Sequence, residues 1–217
     1  PLACQPGSRH SYGVATDVLG HIVEIIAKES LDRFMQRRIF EPLQMNDTGF
    51  FVPKAKHNRL IRLYYRDDSG SHKPVAKKLR EGILSQPKMA SGGGGLVSTI
   101  DDYLKFTQML INQGTYNGKR LLSPTTVRLM LTEHTTPTQR LSPGYGMGLG
   151  FGINVNPVER GNIGAPGEAG WSGIANTFFW IVPDKNLAYL AWSQFFPWGS
   201  SNFRKQVKIV VNNALIK

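Results

Sequence analysis

Ser85 and Lys88 have a spacing that acyl-transfer chemistry uses. A serine hydroxyl is a weak nucleophile at its own pKa, and an amine one helical turn away can take its proton as it attacks. The pair stands in Ser85-Gln86-Pro87-Lys88, followed by Met89-Ala90-Ser91 and the run Gly92-Gly93-Gly94-Gly95. Such a run cannot sustain the helix that would stack lysine under serine, so the pair is predicted to be a chance match. His10, His21, His57, His72 and His134 fall in no metal-binding spacing, and none accompanies a Gly-x-Ser-x-Gly elbow. His10 reads as a solvent-exposed side chain. Cys4 is alone, so it can form no intrachain disulfide, and nothing identifies a base for it. It reads as a buried or incidental thiol. The glycines at 92–95 lead to Ser98-Thr99 without the lysine of a phosphate-binding loop. Asp101 and Asp102 are neighbours on a predicted helix, point in different directions and make no carboxylate pair. Neither a cofactor nor a metal is indicated.

The elements that would position such groups follow from periodicity. Residues 15–28 read as an amphipathic helix, with Val18, Leu19, Ile22, Val23, Ile25 and Ile26 near the helical repeat. Ser30 is a candidate N-cap for a second helix carrying Leu31, Phe34, Met35 and Ile39 on one stripe, and Pro42 stops it. Short strand-like pieces occur at Gly49–Val52 and Leu60–Tyr65. Ser98 with Asp101 resembles a capping box for a helix over Asp101–Asn112, with Gly114 past its end. Ser123-Pro124 opens another helix, reaching about Thr132. From Gly144 the character changes. Tyr145–Val155, Thr177–Val182 and Leu187–Gln194 are β-branched and aromatic, and Pro183-Asp184-Lys185-Asn186 is a turn between the last two. Residues 202–216 close as a helix whose apolar stripe is Phe203, Val207, Val210, Val211 and Leu215. The fold class is α+β: a mostly helical region over 1–143, then an antiparallel three-stranded meander and a terminal helix over 144–217, both within one domain.

The chain has 217 residues, 41% hydrophobic and 19% charged, which suits one globular domain and excludes collagen, coiled coil and disorder. No apolar run approaches the roughly 20 residues that cross a bilayer. The formal charge of +11 favours anionic surfaces without specifying a partner. Its clusters are Arg33, Arg37 and Arg38, then Lys54 to Arg66, then Lys73 to Arg80; the polar stretch Asp67–Lys78 reads as a loop. No nucleic-acid-binding motif accompanies the charge, so it reads as a solvated surface.

Four segments, in order, carry a resemblance. They are Gln5-Pro6-Gly7-Ser8-Arg9-His10-Ser11-Tyr12-Gly13-Val14, running on through Asp17 to Glu24; Ile39-Phe40-Glu41-Pro42-Leu43-Gln44-Met45-Asn46-Asp47-Thr48-Gly49-Phe50; Gly93-Gly94-Gly95-Leu96-Val97-Ser98-Thr99-Ile100-Asp101-Asp102; and Gly170-Trp171-Ser172-Gly173. Together they resemble the serine β-lactamase and penicillin-binding-protein superfamily, in its class C-like esterase and D-aminopeptidase branch. The resemblance spans residues 5 to 216. It implies acyl transfer by a serine, a lysine one turn later, and a tyrosine sharing proton traffic, with two backbone N–H groups holding the oxyanion. Tyr12 matches that tyrosine. Trp171, Ser172, Gly173 and Ile174 match the substrate-binding strand: Gly173 would keep its edge open and the Ile174 N–H would be one oxyanion donor. Where the family often has Asn two residues after the tyrosine, this chain has Val14. Where it often has Lys or His in the third motif, it has Trp171, whose indole offers apolar contact and one N–H but no charge. Both departures point to the esterase branch and away from anionic substrates.

In this family the Ser-x-x-Lys nucleophile lies well upstream of the tyrosine, yet only eleven residues precede Tyr12, and Ser85-x-x-Lys88 follows it. The expectation is the C-terminal two-thirds or so of a serine esterase or amidase, beginning at Pro1 without Met or signal peptide and inactive as it stands. Its substrate would be a small ester, amide or β-lactam-like molecule. A segment preceding Pro1, or strand exchange in a homodimer, would cover the edge that the family's first two strands otherwise pair. The alternative is a non-catalytic module of the same fold that binds a cell-wall peptide or partner protein.

Overall fold

A computed structural model describes residues 2–75, 81–196 and 202–215 of the chain. Helix α1 (Ala15–Ala27) ends at Lys28, which turns left-handed at φ 56°. Helix α2 (Leu31–Met35) follows Ser30 and widens into a π-helical turn over Gln36–Phe40. Ser30 stands at the cap position but its hydroxyl caps nothing. The Leu31 N–H donates instead to Glu24 Oε1 at 2.9 Å, so a carboxylate from α1 starts α2. Strands β1 (Tyr64–Arg66) and β2 (His72–Pro74) form a hairpin, so the stretch expected as a loop from Asp67 is a tight turn followed by a strand. The rest of that stretch, with Lys77, Lys78 and Arg80 of the basic cluster, lies outside the described residues.

Helix α3 (Ile100–Ile111) is capped one residue later than expected: the Thr99 hydroxyl accepts from Asp102 N–H at 3.2 Å, while Ser98 is engaged elsewhere. Strands β3 (Thr115–Tyr116) and β4 (Lys119–Arg120) make a small hairpin, and helix α4 (Pro124–Met130) starts at Ser123, whose Oγ accepts from Thr126 N–H.

The main sheet is antiparallel and five-stranded: β5 (Tyr145–Met147), β6 (Gly152–Asn154), β7 (Glu168–Ser172), β8 (Thr177–Val182) and β9 (Leu187–Trp192), paired in that order. The three-stranded meander is thus longer than expected. Tyr145–Val155 doubles back at Gly148–Phe151, where Gly150 takes φ 87°, and β7 adds a strand next to β6. A short helix α5 (Pro157–Arg160) joins β6 to β7. The β8–β9 turn is the expected one, with Asn186 at φ 49° closing it. Strand β10 (Phe195–Phe196) leaves the main sheet and pairs parallel to β1.

Leu43, Met109 and Leu110 from the first half meet Ile153, Phe179 and Ile181 from the sheet in one buried core. The opposite face of the sheet carries helix α6 (Phe203–Ala214). Of its expected apolar stripe, Phe203, Val207, Val211 and Leu215 are half-buried and Val210 is corrected, at 66% exposed; the residue α6 buries most fully is Lys208, whose ammonium meets the buried Glu168 carboxylate. Phe203 does pack, against Phe178; the helix's expected end at 216 lies outside the described residues. Among the described residues no helix is long and apolar enough to cross a membrane.

Candidate active site

Tyr12 lies on the irregular segment that enters α1, and its ring stacks on Trp171 with centroids 6.4 Å apart and planes 17° from parallel. Its outer face is open, with 75% of the residue exposed. Trp171 is the penultimate residue of β7, half-buried against the core on its inner side. The fold therefore brings together two candidates from opposite ends of the chain. Ser172 ends β7, and Gly173 begins the turn to β8, donating its N–H to Thr177 O at 2.8 Å. A Cβ on Gly173 would stand 2.5 Å from the Thr177 hydroxyl, which is a packing reason for glycine there. Ile174 sits in the same turn, 61% exposed, beside the strand end that holds Trp171. The group offers an aromatic wall, a phenol and an exposed Ile174 just past the end of a strand.

Ser85 and Lys88 lie in irregular chain, not on a helix. Lys88 lines a cleft of about 550 Å³ with Glu24, Asp32 and Arg37, and neither Tyr12 nor Trp171 borders it. His10 corrects the expectation of an exposed ring: it is half-buried, and its Nε2 is enclosed without a hydrogen-bond partner. Cys4 is a free, half-buried thiol. Among the described residues no group of His, Cys, Asp and Glu is placed to hold a metal ion.

Asp17, Ser91 and Gly93, for which sequence reasoning found no role, border Tyr12's segment. Asp17, in the first turn of α1, accepts from the Ser91 hydroxyl at 2.5 Å and from the Gly93 N–H at 3.3 Å. Those bonds, Ser91's first, hold its carboxyl below the ordinary value. The signal that could have found the contact is the glycine run itself, because backbone that must approach another backbone closely tolerates no Cβ.

Helices on one face of an antiparallel sheet, a terminal helix on the other, and a tyrosine loop lying against a strand end define an α+β architecture with a surface site at the edge of two layers. Residues 1–211 match the Beta-lactamase family, and the chain belongs to it. It is 35% identical over 213 residues to an uncharacterized protein of Mycobacterium tuberculosis, covering 91% of this chain and 51% of that one. It is 29% identical over 206 residues to the lovastatin esterase of Penicillium rubens, covering 86% and 50%. Among solved structures it is similar to EstCE1, a hydrolase with promiscuous acyltransferase activity, with a TM-score of 0.83 at 25% identity, covering 96% of this chain and 57% of that one. The fold of the simvastatin synthase of Aspergillus terreus is also close, with a TM-score of 0.78 at 22% identity, covering 94% and 54%. The chain spans about half the length of the curated relatives it matches.

Proposed function

We propose that these residues form the tyrosine and oxyanion-strand part of a β-lactamase-family esterase or amidase that transfers a small acyl group through a serine. The stacking of Tyr12 on Trp171 supports this reading, because a phenol against the end of β7 is where a proton relay would serve an oxyanion met by the Ile174 N–H. Trp171 presents apolar surface and one neutral donor, which favours neutral acyl substrates over those bearing a carboxylate. The serine and lysine of the reaction would come from outside the 217 residues, since Ser85 and Lys88 share no helix. The apolar face of α1, with Val18, Leu19, Ile22, Ile25 and Ile26 exposed, fits a covering segment.

The test is hydrolysis of short-chain p-nitrophenyl esters and nitrocefin by the 217-residue polypeptide, expected at the buffer rate. Turnover that Ser85→Ala abolishes overturns the proposal. In a polypeptide that also carries a Ser-x-x-Lys helix, Tyr12→Phe keeps the stack and removes the phenol, and a loss of about 10²–10⁴ in kcat/KM is expected. If the natural reading frame encodes no such helix, the chain is a binding module of this fold instead.

A further inference from the structure

We infer that Ser91, Gly92 and Gly93 form a clamp that positions Tyr12 through Asp17; the inference rests on the reading of Tyr12 as the proton relay. Tyr12 has no regular structure of its own to hold it, so its place depends on what fixes the chain on either side. On the near side stands the first turn of α1, where Asp17 and Val18 N–H groups donate to Val14 O at 3.0 and 3.1 Å. An acid in a first turn ordinarily serves its own helix. Here no side chain caps α1, and Asp17 spends its Oδ1 outward on the Ser91 hydroxyl and the Gly93 N–H.

The fit is set by backbone. A Cβ at residue 92 would stand 2.3 Å from Thr16 O, and one at residue 93 would stand 2.6 Å from Asp17 Oδ2. Neither contact can be relieved by turning a flexible side chain aside, because the first obstacle is a helix carbonyl and the second a carboxylate already bound. On the far side, the Gln139 amide donates to Gly7 O. The tyrosine segment is therefore tied at Gly7 and at Asp17, and Trp171 meets it in between.

The clamp is itself anchored. Four residues beyond Gly93, Val97 pairs with Gly49, and Ser98 Oγ shares a hydrogen bond with Thr48 Oγ1, next to the buried Asp102. A continuous path of bonds runs from the core, along residues 91–98, to the first turn of α1, five residues after Tyr12.

The experiment reads Tyr12's position directly, through the Trp171 indole N–H resonance of the uniformly ¹⁵N-labelled chain. Tyr12→Leu assigns the shift that follows from losing the stacked ring. Ser91→Ala and Gly92→Ala are expected to move the Trp171 resonance in the same direction while Trp180 and Trp192 stay in place, and Ser91→Thr, which keeps the hydroxyl, is expected to restore it. Should Gly92→Ala not fold, Asp17→Asn takes its place beside Ser91→Ala. A Trp171 resonance unmoved in Ser91→Ala and in either companion overturns the clamp. Failure of the catalytic reading shows separately, as full ester turnover by Tyr12→Phe in an active polypeptide, and leaves the indole shifts as they are.

Discussion

Asp102 Oδ2 accepts from the Asp47 N–H at 2.7 Å and from the Thr48 hydroxyl at 3.1 Å, across more than fifty residues of chain. The two motifs that meet there, Asp47-Thr48-Gly49-Phe50 and Ser98-Thr99-Ile100-Asp101-Asp102, are thus a structural staple rather than chemistry. Asp102 is 4% exposed, and its other oxygen takes the Lys105 ammonium at 2.8 Å. Asp102→Ala leaves the Asp47 N–H without its acceptor and removes one partner each from the Thr48 hydroxyl, which keeps Ser98 Oγ, and the Lys105 ammonium, which keeps Gln44 O, so a loss of about 1–3 kcal/mol is expected. Asp102→Asn keeps one acceptor and is expected to lose less. Urea unfolding followed by circular dichroism measures both, and an Ala variant within 1 kcal/mol (about a fivefold change in the folding equilibrium) contradicts the staple.

Asp47 contributes a pH dependence of definite sign. The Arg59 guanidinium, then the Lys56 ammonium, hold its carboxyl at about 2, below the ordinary 3.8. A depressed folded pKa means that the unfolded chain binds the proton more readily. The contribution is whole above pH 3.8, and falls away as the pH drops from there through about 2. Both cations are partly in solvent, so its size is about 1 kcal/mol and shrinks with salt. Asp47→Asn is expected to flatten acid unfolding across that window; an unchanged profile refutes the assignment.

The order of helices, sheet and terminal helix was legible because it rests on local periodicity and on turn residues such as Pro183–Asn186 and the Ser123-Pro124 cap. What the sequence hid was set by partners far along the chain. Ser98 looks like a cap beside Asp101, but Thr48 claims its hydroxyl, and Thr99 takes the cap instead. In the stripe of α6 Val207 and Val211 are half-buried but Val210 is exposed, and the most buried residue of the helix is Lys208, paired with Glu168. The Asn117-Gly118 turn, both residues at positive φ, carries a recognised hairpin signal. For the site, the family resemblance put Tyr12 and Trp171 in one place, while the clamp from Ser91 to Gly93 needed the folded chain, because a glycine's reason lies in the atom opposite it.

Helix α1 turns much of its apolar side to solvent: Val18, Leu19, Ile22, Ile25 and Ile26 are all exposed, Ile26 at 77%. Within the described residues nothing covers this face, a contiguous patch of the kind that binds a partner segment or aggregates. Replacing Ile25 and Ile26 with lysine is expected to change stability by no more than about 0.5 kcal/mol while lowering anilinonaphthalene sulfonate fluorescence and light scattering. Phe179→Ala, in the core, supplies the contrast at about 3–5 kcal/mol. If the two lysines destabilise the chain like the core change, α1 packs against something within these residues and the open face is refuted.

Glu168 and Lys208 form a buried ion pair that fastens α6 to β7, the strand carrying Trp171. Burial pulls the Lys208 pKa down, against the opposing attraction of Glu168. Removing the carboxylate leaves the cation without its counter-charge in a site ringed by Trp180 and Asn154. Glu168→Gln is therefore expected to cost about 3–5 kcal/mol near neutral pH. The loss should narrow as pH rises toward the ordinary lysine value, because the unfolded chain then holds a proton that the folded variant has shed. Glu168→Leu combined with Lys208→Met removes both charges with similar volumes, and is expected to recover most of the loss or exceed the natural stability. Guanidinium denaturation of the three variants across pH decides it: a double variant no better than Glu168→Gln would mean that α6 is held by the pair's charges, not by the packing around them.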